Sequence, residues 1–83
     1  MDFVIDKLNG QCPVQGTGEV RGKPFYFRAR GDSWRLSIGD PDRPDWIHEE
    51  EYGDGPFAAG WMTHDEARSF IRTTLKRYLA EVA

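Results

Sequence analysis

The stretch EVRGKPFYFRARGDSWRLSI, residues 19–38, constrains the fold of this chain more than any other. Gly22-Lys23 and Gly31-Asp32 each lie between two runs in which apolar and polar residues alternate. Glycine at the first central position of a two-residue loop is typical of a type II′ turn, whose twist suits a β-hairpin. The stretch therefore predicts three consecutive antiparallel strands joined by two tight turns.

The two turns also predict how the strands pair. A loop at Gly31-Asp32 gives three opposed pairs: Ala29 with Trp34, Phe27 with Leu36, and Phe25 with Ile38. A loop at Gly22-Lys23 gives three more: Val20 with Phe25, Gly18 with Phe27, and Gly16 with Ala29. Because side chains alternate across a strand, all these residues share one face, which we expect to be the core face.

The C-terminal segment predicts an amphipathic helix from His64 to Glu81. Thr63 and Glu66 have the spacing of a capping box, which marks a helix start. Apolar residues then recur at helical spacing: Ala67, Phe70, Ile71, Leu75, Tyr78, Leu79 and Val82. We expect this stripe to cover the sheet, with the basic side chains of the helix largely on its outer side.

Together these elements predict one α+β domain over residues 1–83: an antiparallel three- or four-stranded sheet with one face covered by the C-terminal amphipathic helix. The segment DWIHEEEY, residues 45–52, is a candidate fourth strand. Residues 2–9 fit either a short helix capped by Asp2 or an edge strand, and we favour the helix.

Negative charge is concentrated in the middle of the chain. Residues 1–39 carry six bases and four acids, residues 40–60 one base and seven acids, and residues 61–83 four bases and three acids, which sums to the net charge of -3. Two aromatic residues, Trp46 and Tyr52, lie among the acids. The seven carboxylates are Asp40, Asp42, Asp45, Glu49, Glu50, Glu51 and Asp54.

We expect this acidic stretch to be a partner-binding surface. Clustered carboxylates repel one another, and a basic partner relieves that repulsion and is steered towards it. Trp46 and Tyr52 are of the residue types that anchor interfaces, so they are expected to add contact area. The predicted partner is a basic protein surface, in particular one that holds nucleic acid. The alternative is a solvated loop without a partner.

A second interpretation uses the polar face of the sheet. Tyr26, Arg28, Arg30 and Arg35 are predicted to lie together there, and an aromatic flanked by arginines suits single-stranded nucleic acid. The net negative charge favours protein binding over this alternative. A third possibility is a homodimer whose contact is marked by Trp61 or Phe57.

The remaining patterns argue against catalysis, a cofactor or a metal site. His48 and His64 lack the spacing of a zinc-protease helix, and no nucleophile or phosphate-binding motif is present. Cys12 is the only cysteine, so an internal disulfide is excluded. No membrane-spanning run and no secretory signal pattern occur, so we expect a cytoplasmic protein that is not an enzyme.

The segments GKPFYFRARGDSWRLSIG and EYGDGPFAAGWMTHDEARSFI resemble short proteins of proteobacterial phages and mobile elements, some of which are anti-CRISPR proteins. The resemblance covers roughly residues 13–80 and includes no shared functional motif, so no residue role follows from it. It implies a mechanism class, in which a small acidic inhibitor occupies the basic groove of a CRISPR effector subunit.

Overall fold

The computed structural model describes residues 2–53 and 58–82. Its strands form one antiparallel sheet in which each strand pairs with the next along the chain, in the order β1-β2-β3-β4-β5. The strands are β1 Phe3–Asn9, β2 Val14–Val20, β3 Lys23–Arg30, β4 Ser33–Asp40 and β5 Arg43–Glu51. A short 3-10 helix, Ala59–Trp61, precedes the long helix α1, His64–Val82.

The core lies between α1 and one face of the sheet. In β2, β3 and β4 the fully buried residues recur at every second position and the residues between them are exposed or half-buried, which is the pattern of a sheet covered on one face only. The helix contributes Ala67, Ile71, Leu75 and Tyr78 to the same cluster. The architecture is therefore α+β, as predicted, with β1 and β5 as the two edges and an open second face.

The sheet has five strands, whereas the sequence predicted three or four. The candidate fourth strand forms as β5, and the additional strand is β1. Residues 2–9 are therefore an edge strand, and the helix that we favoured there is wrong.

A bulge explains why the sequence of β1 lacks a regular strand pattern. The pairing of β1 with β2 shifts between Ile5 and Lys7, so that Asp6 has no opposed partner. The extra residue breaks the alternation, and Phe3, Ile5 and Leu8 all turn towards the core despite their uneven spacing. An apolar spacing of two and then three residues fits neither a regular strand nor a regular helix.

The hairpin between β3 and β4 has the predicted register. Phe25 lies opposite Ile38, Phe27 opposite Leu36, and Ala29 opposite Trp34. Gly31 has a φ of 66°, as a type II′ turn requires of its first central residue.

The hairpin between β2 and β3 has a different register from the predicted one. Val20 lies opposite Lys23, not Phe25, because the turn residues are Arg21-Gly22 and not Gly22-Lys23. Arg21 and Gly22 have φ values of 48° and 79°, the two positive values of a type I′ turn. The shift is two residues, so every side chain keeps its predicted face.

A second bulge, between Ile38 and Gly39, determines which face of β5 meets the core. At the turn, Gly39 lies opposite Pro44, but beyond the bulge Ile38 lies opposite Trp46. Without the extra residue, Ile38 would lie opposite Asp45 and a carboxylate would face the core. Gly39 has a φ of 107°, a conformation that favours glycine.

The start of α1 confirms the predicted capping box. The Glu66 amide donates to the Thr63 hydroxyl at 3.1 Å, and the Thr63 amide donates to the Glu66 carboxylate at 3.2 Å. The helix ends at Val82, one residue beyond the predicted end.

Candidate functional site

The predicted partner-binding carboxylates follow one free edge of the sheet. Strand β5 has a neighbour on one side only, and the turn that precedes it carries two further acids. We call this surface the acidic edge; its described carboxylates are Asp40, Asp42, Asp45, Glu49, Glu50 and Glu51. Asp54, the seventh predicted residue, lies outside the described residues. The structure thus places six of the seven on β5 or around the turn before it, with Glu49 and Glu51 on the open face of the sheet and Glu50 on the other face.

Two of these acids have an ion-pair or hydrogen-bond partner in another side chain of the protein. Asp45 accepts a hydrogen bond from the Lys23 ammonium at 2.7 Å, and Glu50 lies 2.7 Å from Nε2 of His48. The hydrogen bond from Lys23 to Asp45, and then the negative charge of Asp45, raise the pKa of Lys23. Among the described residues no ion pair involves the other four acids, although Arg35 lies opposite Glu49 and Arg43 lies opposite Asp40. With six acids and one base in residues 40–53, this edge is negative.

Trp46 and Tyr52 are half-buried and pack towards α1. The Trp46 ring meets Tyr78 edge-on with centroids 5.3 Å apart, and Tyr52 meets Phe70 edge-on at 5.8 Å. Both rings therefore contribute to the core, and only part of each remains for a partner. The more exposed apolar side chain on β5 is Ile47, at 45%, on the open face.

A hydrogen bond ties the end of the acidic edge to the start of the helix. The Tyr52 hydroxyl donates at 2.7 Å to Oε2 of Glu66, the carboxylate oxygen that does not accept the capping bond from Thr63. This bond is the main cause of the lowered pKa of Glu66, and the Thr63 amide bond adds to it. It also raises the pKa of Tyr52, because the bond requires the hydroxyl proton.

The four residues of the nucleic-acid alternative line a single groove on the open face. Tyr26, Arg28, Arg30 and Arg35 share this groove of about 340 Å³, which we call the arginine groove, with Glu49 on its β5 side. Arg28 lies directly opposite Arg35. In the part of the chain that the structure describes, none of the three arginines forms an ion pair.

A further groove runs between β1 and α1, and sequence reasoning missed it. It measures about 640 Å³ and is lined by all residues from Phe3 to Leu8 and by Arg68, Arg72 and Lys76. The three basic residues recur every four positions on α1, which is a visible pattern in the sequence. The strand beside them could not be predicted, because the bulge at Asp6 breaks its alternation of apolar and polar residues.

The histidines have local structural contacts. His48 stacks on Trp46 with centroids 5.9 Å apart and lies 5.6 Å from the Trp34 ring. His64 donates from Nε2 to the carbonyl of Gly10 at 2.9 Å. Neither histidine lines the arginine groove or the β1–α1 groove. Within residues 2–53 and 58–82 no three metal-binding side chains cluster.

Comparison with protein-family models, with curated proteins and with solved structures finds no match for this chain. In the described ranges, neither helix combines the length and apolar character that crossing a bilayer requires.

Proposed function

We propose that this protein is a non-catalytic binding module whose acidic edge docks on a basic, nucleic-acid-binding surface of another protein. The observation that carries the proposal is the concentration of six carboxylates on β5 and around the turn before it, four of them with neither an ion pair nor a hydrogen bond to another side chain among the described residues. A strand edge with this much negative charge offers a cationic groove what the backbone of a nucleic acid offers it.

The rigidity of the edge supports this role. Strand β5 is held by its ladder to β4 and by the packing of Trp46 on α1, so the backbone that carries the charges is fixed before binding. A preorganised charged surface loses little conformational entropy on association. Long-range attraction to a positive groove then raises the association rate at low salt.

The resemblance to phage and mobile-element proteins suggests a more specific version. The partner would be a subunit of a CRISPR effector in the bacterial cytoplasm, and the acidic edge would occupy the groove that normally holds DNA. The charge pattern supports any basic groove equally, so this version depends on the resemblance alone.

Charge reversal on the acidic edge tests the proposal. The variant Glu49→Lys/Glu51→Lys changes two exposed side chains on one face of β5 and leaves the His48–Glu50 contact in place. The matched control, Glu19→Lys/Glu81→Lys, makes the same change in net charge away from β5. Immobilised protein should retain a basic partner from a low-salt bacterial lysate, and duplex DNA should displace that partner.

The edge variant should lose the partner while the control retains it, and binding should fall as salt rises. Equal retention by the two variants would contradict the proposal. So would a captured partner that duplex DNA fails to displace.

A second candidate function is single-stranded nucleic-acid binding in the arginine groove. The observation that favours it is the convergence of Arg28, Arg30 and Arg35 beside the Tyr26 ring in one groove. Fluorescence anisotropy with random single-stranded DNA and RNA should then show binding that Arg28→Gln/Arg35→Gln weakens and that Glu49→Lys strengthens. Absence of binding at 50 mM salt would remove this candidate.

Homodimer formation stays a prediction. Trp61 is 60% exposed, which leaves its ring available for a contact between two copies, and Phe57 lies outside the described residues. Light scattering of the wild type and of Trp61→Ser would show whether a dimer forms through this ring.

A further inference from the structure

The β1–α1 groove lies at the edge of the sheet opposite the acidic edge. One wall of the groove is β1 from Phe3 to Leu8. The other wall is the side of α1 that carries Arg68, Arg72 and Lys76. The groove is therefore as long as a short strand, and it is separate from both surfaces of the proposed function.

The free edge of β1 supplies backbone hydrogen-bonding groups. Strand β1 pairs only with β2, so alternate amides and carbonyls on its other side point away from the sheet. Val4 is 58% exposed beside them, on the open face. An extended chain can satisfy such groups by adding a strand to the sheet.

The helix side of the groove is basic. Lys7, Arg68, Arg72 and Lys76 line the groove with one acid, Asp6. Arg68 has Asp65 as an ionic partner at 3.3 Å. Among the described residues, Arg72 and Lys76 have none. An occupant that carries negative charge towards α1 is therefore favoured.

The spacing of the basic residues matches that of an extended chain. Arg68, Arg72 and Lys76 are four residues apart, which is about 6 Å along a helix that rises 1.5 Å per residue. Side chains on one face of a strand repeat about every 6.7 Å. Three acidic side chains at alternate positions of an added strand would thus each lie close to one base.

We propose that the β1–α1 groove binds an extended acidic peptide, which adds to the edge of β1 as a sixth strand and directs alternate acidic side chains at Arg68, Arg72 and Lys76. A nucleic acid could use the charges but not the backbone groups of β1. The β1 edge of a second copy is disfavoured because it would bring two basic grooves together.

The bulge at Asp6 places the main pairing near the start of β1. His64, at the first position of α1, binds Gly10 just beyond the end of β1, so the helix runs back along the strand towards Phe3. Ile71 packs at Gly16, which lies opposite Leu8, so Arg72 lies near the bulge and Lys76, one turn further on, lies nearer to Phe3–Ile5. Charge reversal at these two positions is the sharpest test of the helix side.

The probe is a fluorescein-labelled nine-residue peptide in which valine and glutamate alternate, and it is titrated against the full chain at 50 mM salt. A second peptide has the same composition with all glutamates adjacent. Two further peptides carry methyl groups on either the valine or the glutamate backbone nitrogens. In an added strand, either the valine or the glutamate N–H groups bond to β1, so only strand addition is sensitive to methylation of one set and not of the other.

The alternating peptide should bind, and the block peptide should bind at least tenfold more weakly. One of the two methylated peptides should also bind at least tenfold more weakly, whereas the other should bind like the unmethylated peptide. Arg72→Glu/Lys76→Glu should weaken binding about tenfold or more. Arg77→Glu, an exposed change on the same helix outside the groove, should leave it within twofold. Hydrogen exchange of β1 amides should slow when the peptide is bound.

Equal binding of all four peptides would overturn the proposal, as would equal binding by the groove variant and the Arg77→Glu control. A single-stranded oligonucleotide that binds more tightly than the alternating peptide, and that Arg72→Glu/Lys76→Glu no longer binds, would assign the groove to nucleic acid instead. A dimer in light scattering that Arg72→Glu/Lys76→Glu converts to a monomer would assign the groove to a second copy and overturn the proposal too. None of these outcomes involves the acidic edge variants, so this test and that of the proposed function fail independently.

Discussion

Gly18 shows that the core face of β2 has no space for a side chain at this position. A Cβ there would collide with the carbonyl oxygen of Val4 and come within 2.6 Å of the Phe25 ring. Neither neighbour can yield easily, because one is backbone and the other is a buried ring. Gly18→Ala should therefore lower the free energy of unfolding by about 1–3 kcal/mol, the usual cost of overpacking a core, as measured by urea denaturation.

Thr17→Ala is the matched control, since it lies next to Gly18 on the same strand but on the open face. Its effect should remain within about 0.5 kcal/mol, as for most surface substitutions. Equal destabilisation by the two changes would mean that the contacts with Val4 and Phe25 do not govern this position.

The hydrogen bond from Tyr52 to Glu66 should make stability depend on pH. Glu66 has a lowered pKa in the folded protein, so its contribution is present above its ordinary pKa and is lost as pH falls through the folded value. Tyr52→Phe removes the principal cause of that shift. We expect the Glu66 pKa, followed by NMR, to rise in the variant, and the melting temperature at pH 7 to fall by a few degrees.

The difference in melting temperature between wild type and Tyr52→Phe should shrink at acid pH, where Glu66 is protonated in both proteins. Tyr52 itself acts at the other end of the scale: its raised pKa means that its contribution is present at neutral pH and lost as pH rises past its ordinary value of about 10. A difference that stays constant from pH 3 to pH 7 would show that only ring packing against Phe70 was changed.

At the scale of the element, the β2–β3 turn carries an avoidable strain. Arg21 has a φ of 48°, and a left-handed conformation costs a residue with a Cβ roughly 1–2 kcal/mol unless it is asparagine or aspartate. Arg21→Asn creates Asn-Gly, the preferred pair for a type I′ turn. It should raise the free energy of unfolding by about 0.5–1 kcal/mol, measured by thermal denaturation.

Arg21→Ala provides the control for this prediction. Both variants lose the exposed contact between Arg21 and Asp2, whose closest atoms are 3.9 Å apart, but alanine keeps the strained Cβ without the local hydrogen bonding of asparagine. Arg21→Ala should thus be no more stable than wild type. A gain of the same size in both variants would trace the effect to the lost arginine.

The strands that follow regular turn chemistry could be predicted from the sequence, and those shaped by bulges could not. The Gly31-Asp32 turn determined the β3–β4 register because glycine occupies the position that needs a positive φ. The β2–β3 register was predicted wrongly because arginine occupies the equivalent position. Nothing in an arginine side chain indicates a positive φ. In β1 and at Gly39 one inserted residue changes which side chains face the core, and alternation alone cannot reveal it.

The same reasons decide how much of the candidate site could be predicted. Tyr26, Arg28, Arg30 and Arg35 were placed together because alternation along two paired strands brings them to one face. The burial of Trp46 and Tyr52 was not foreseen, since it depends on the bulge at Gly39 and on the position of α1. The β1–α1 groove was missed because its strand was assigned as a helix.

The whole molecule has the acidic edge at one side of its sheet and the basic β1–α1 groove at the other. Four spacings of about 4.8 Å separate β1 from β5, so the two edges lie roughly 19 Å apart. At 0.1 M salt the Debye length is about 10 Å, so each edge acts on a partner without interference from the other. The two binding surfaces that we propose can therefore be occupied and tested separately.

Repulsion along the acidic edge should make the protein more stable as salt is added. Glu49 and Glu51 are about 6.7 Å apart along β5 and repel by about 0.6 kcal/mol in water, whereas charges on opposite edges attract by only about 0.2 kcal/mol. Arg35, opposite Glu49 on β4, offsets part of the repulsion. Residues 40–53 still carry six acids and one base, so repulsion dominates along this edge, and salt screens it. Thermal denaturation should show a higher melting temperature at 150 mM than at 10 mM salt.

The variant Glu51→Lys tests the cause of this dependence. It should raise the melting temperature at 10 mM salt and lose most of that advantage at 150 mM. Glu19→Lys, which makes the same change on β2 and away from the acidic edge, should show a smaller dependence on salt. Equal curves for the two variants would mean that net charge, and not the arrangement of carboxylates along β5, sets the response, and the electrostatic basis for the acidic edge would then be lost.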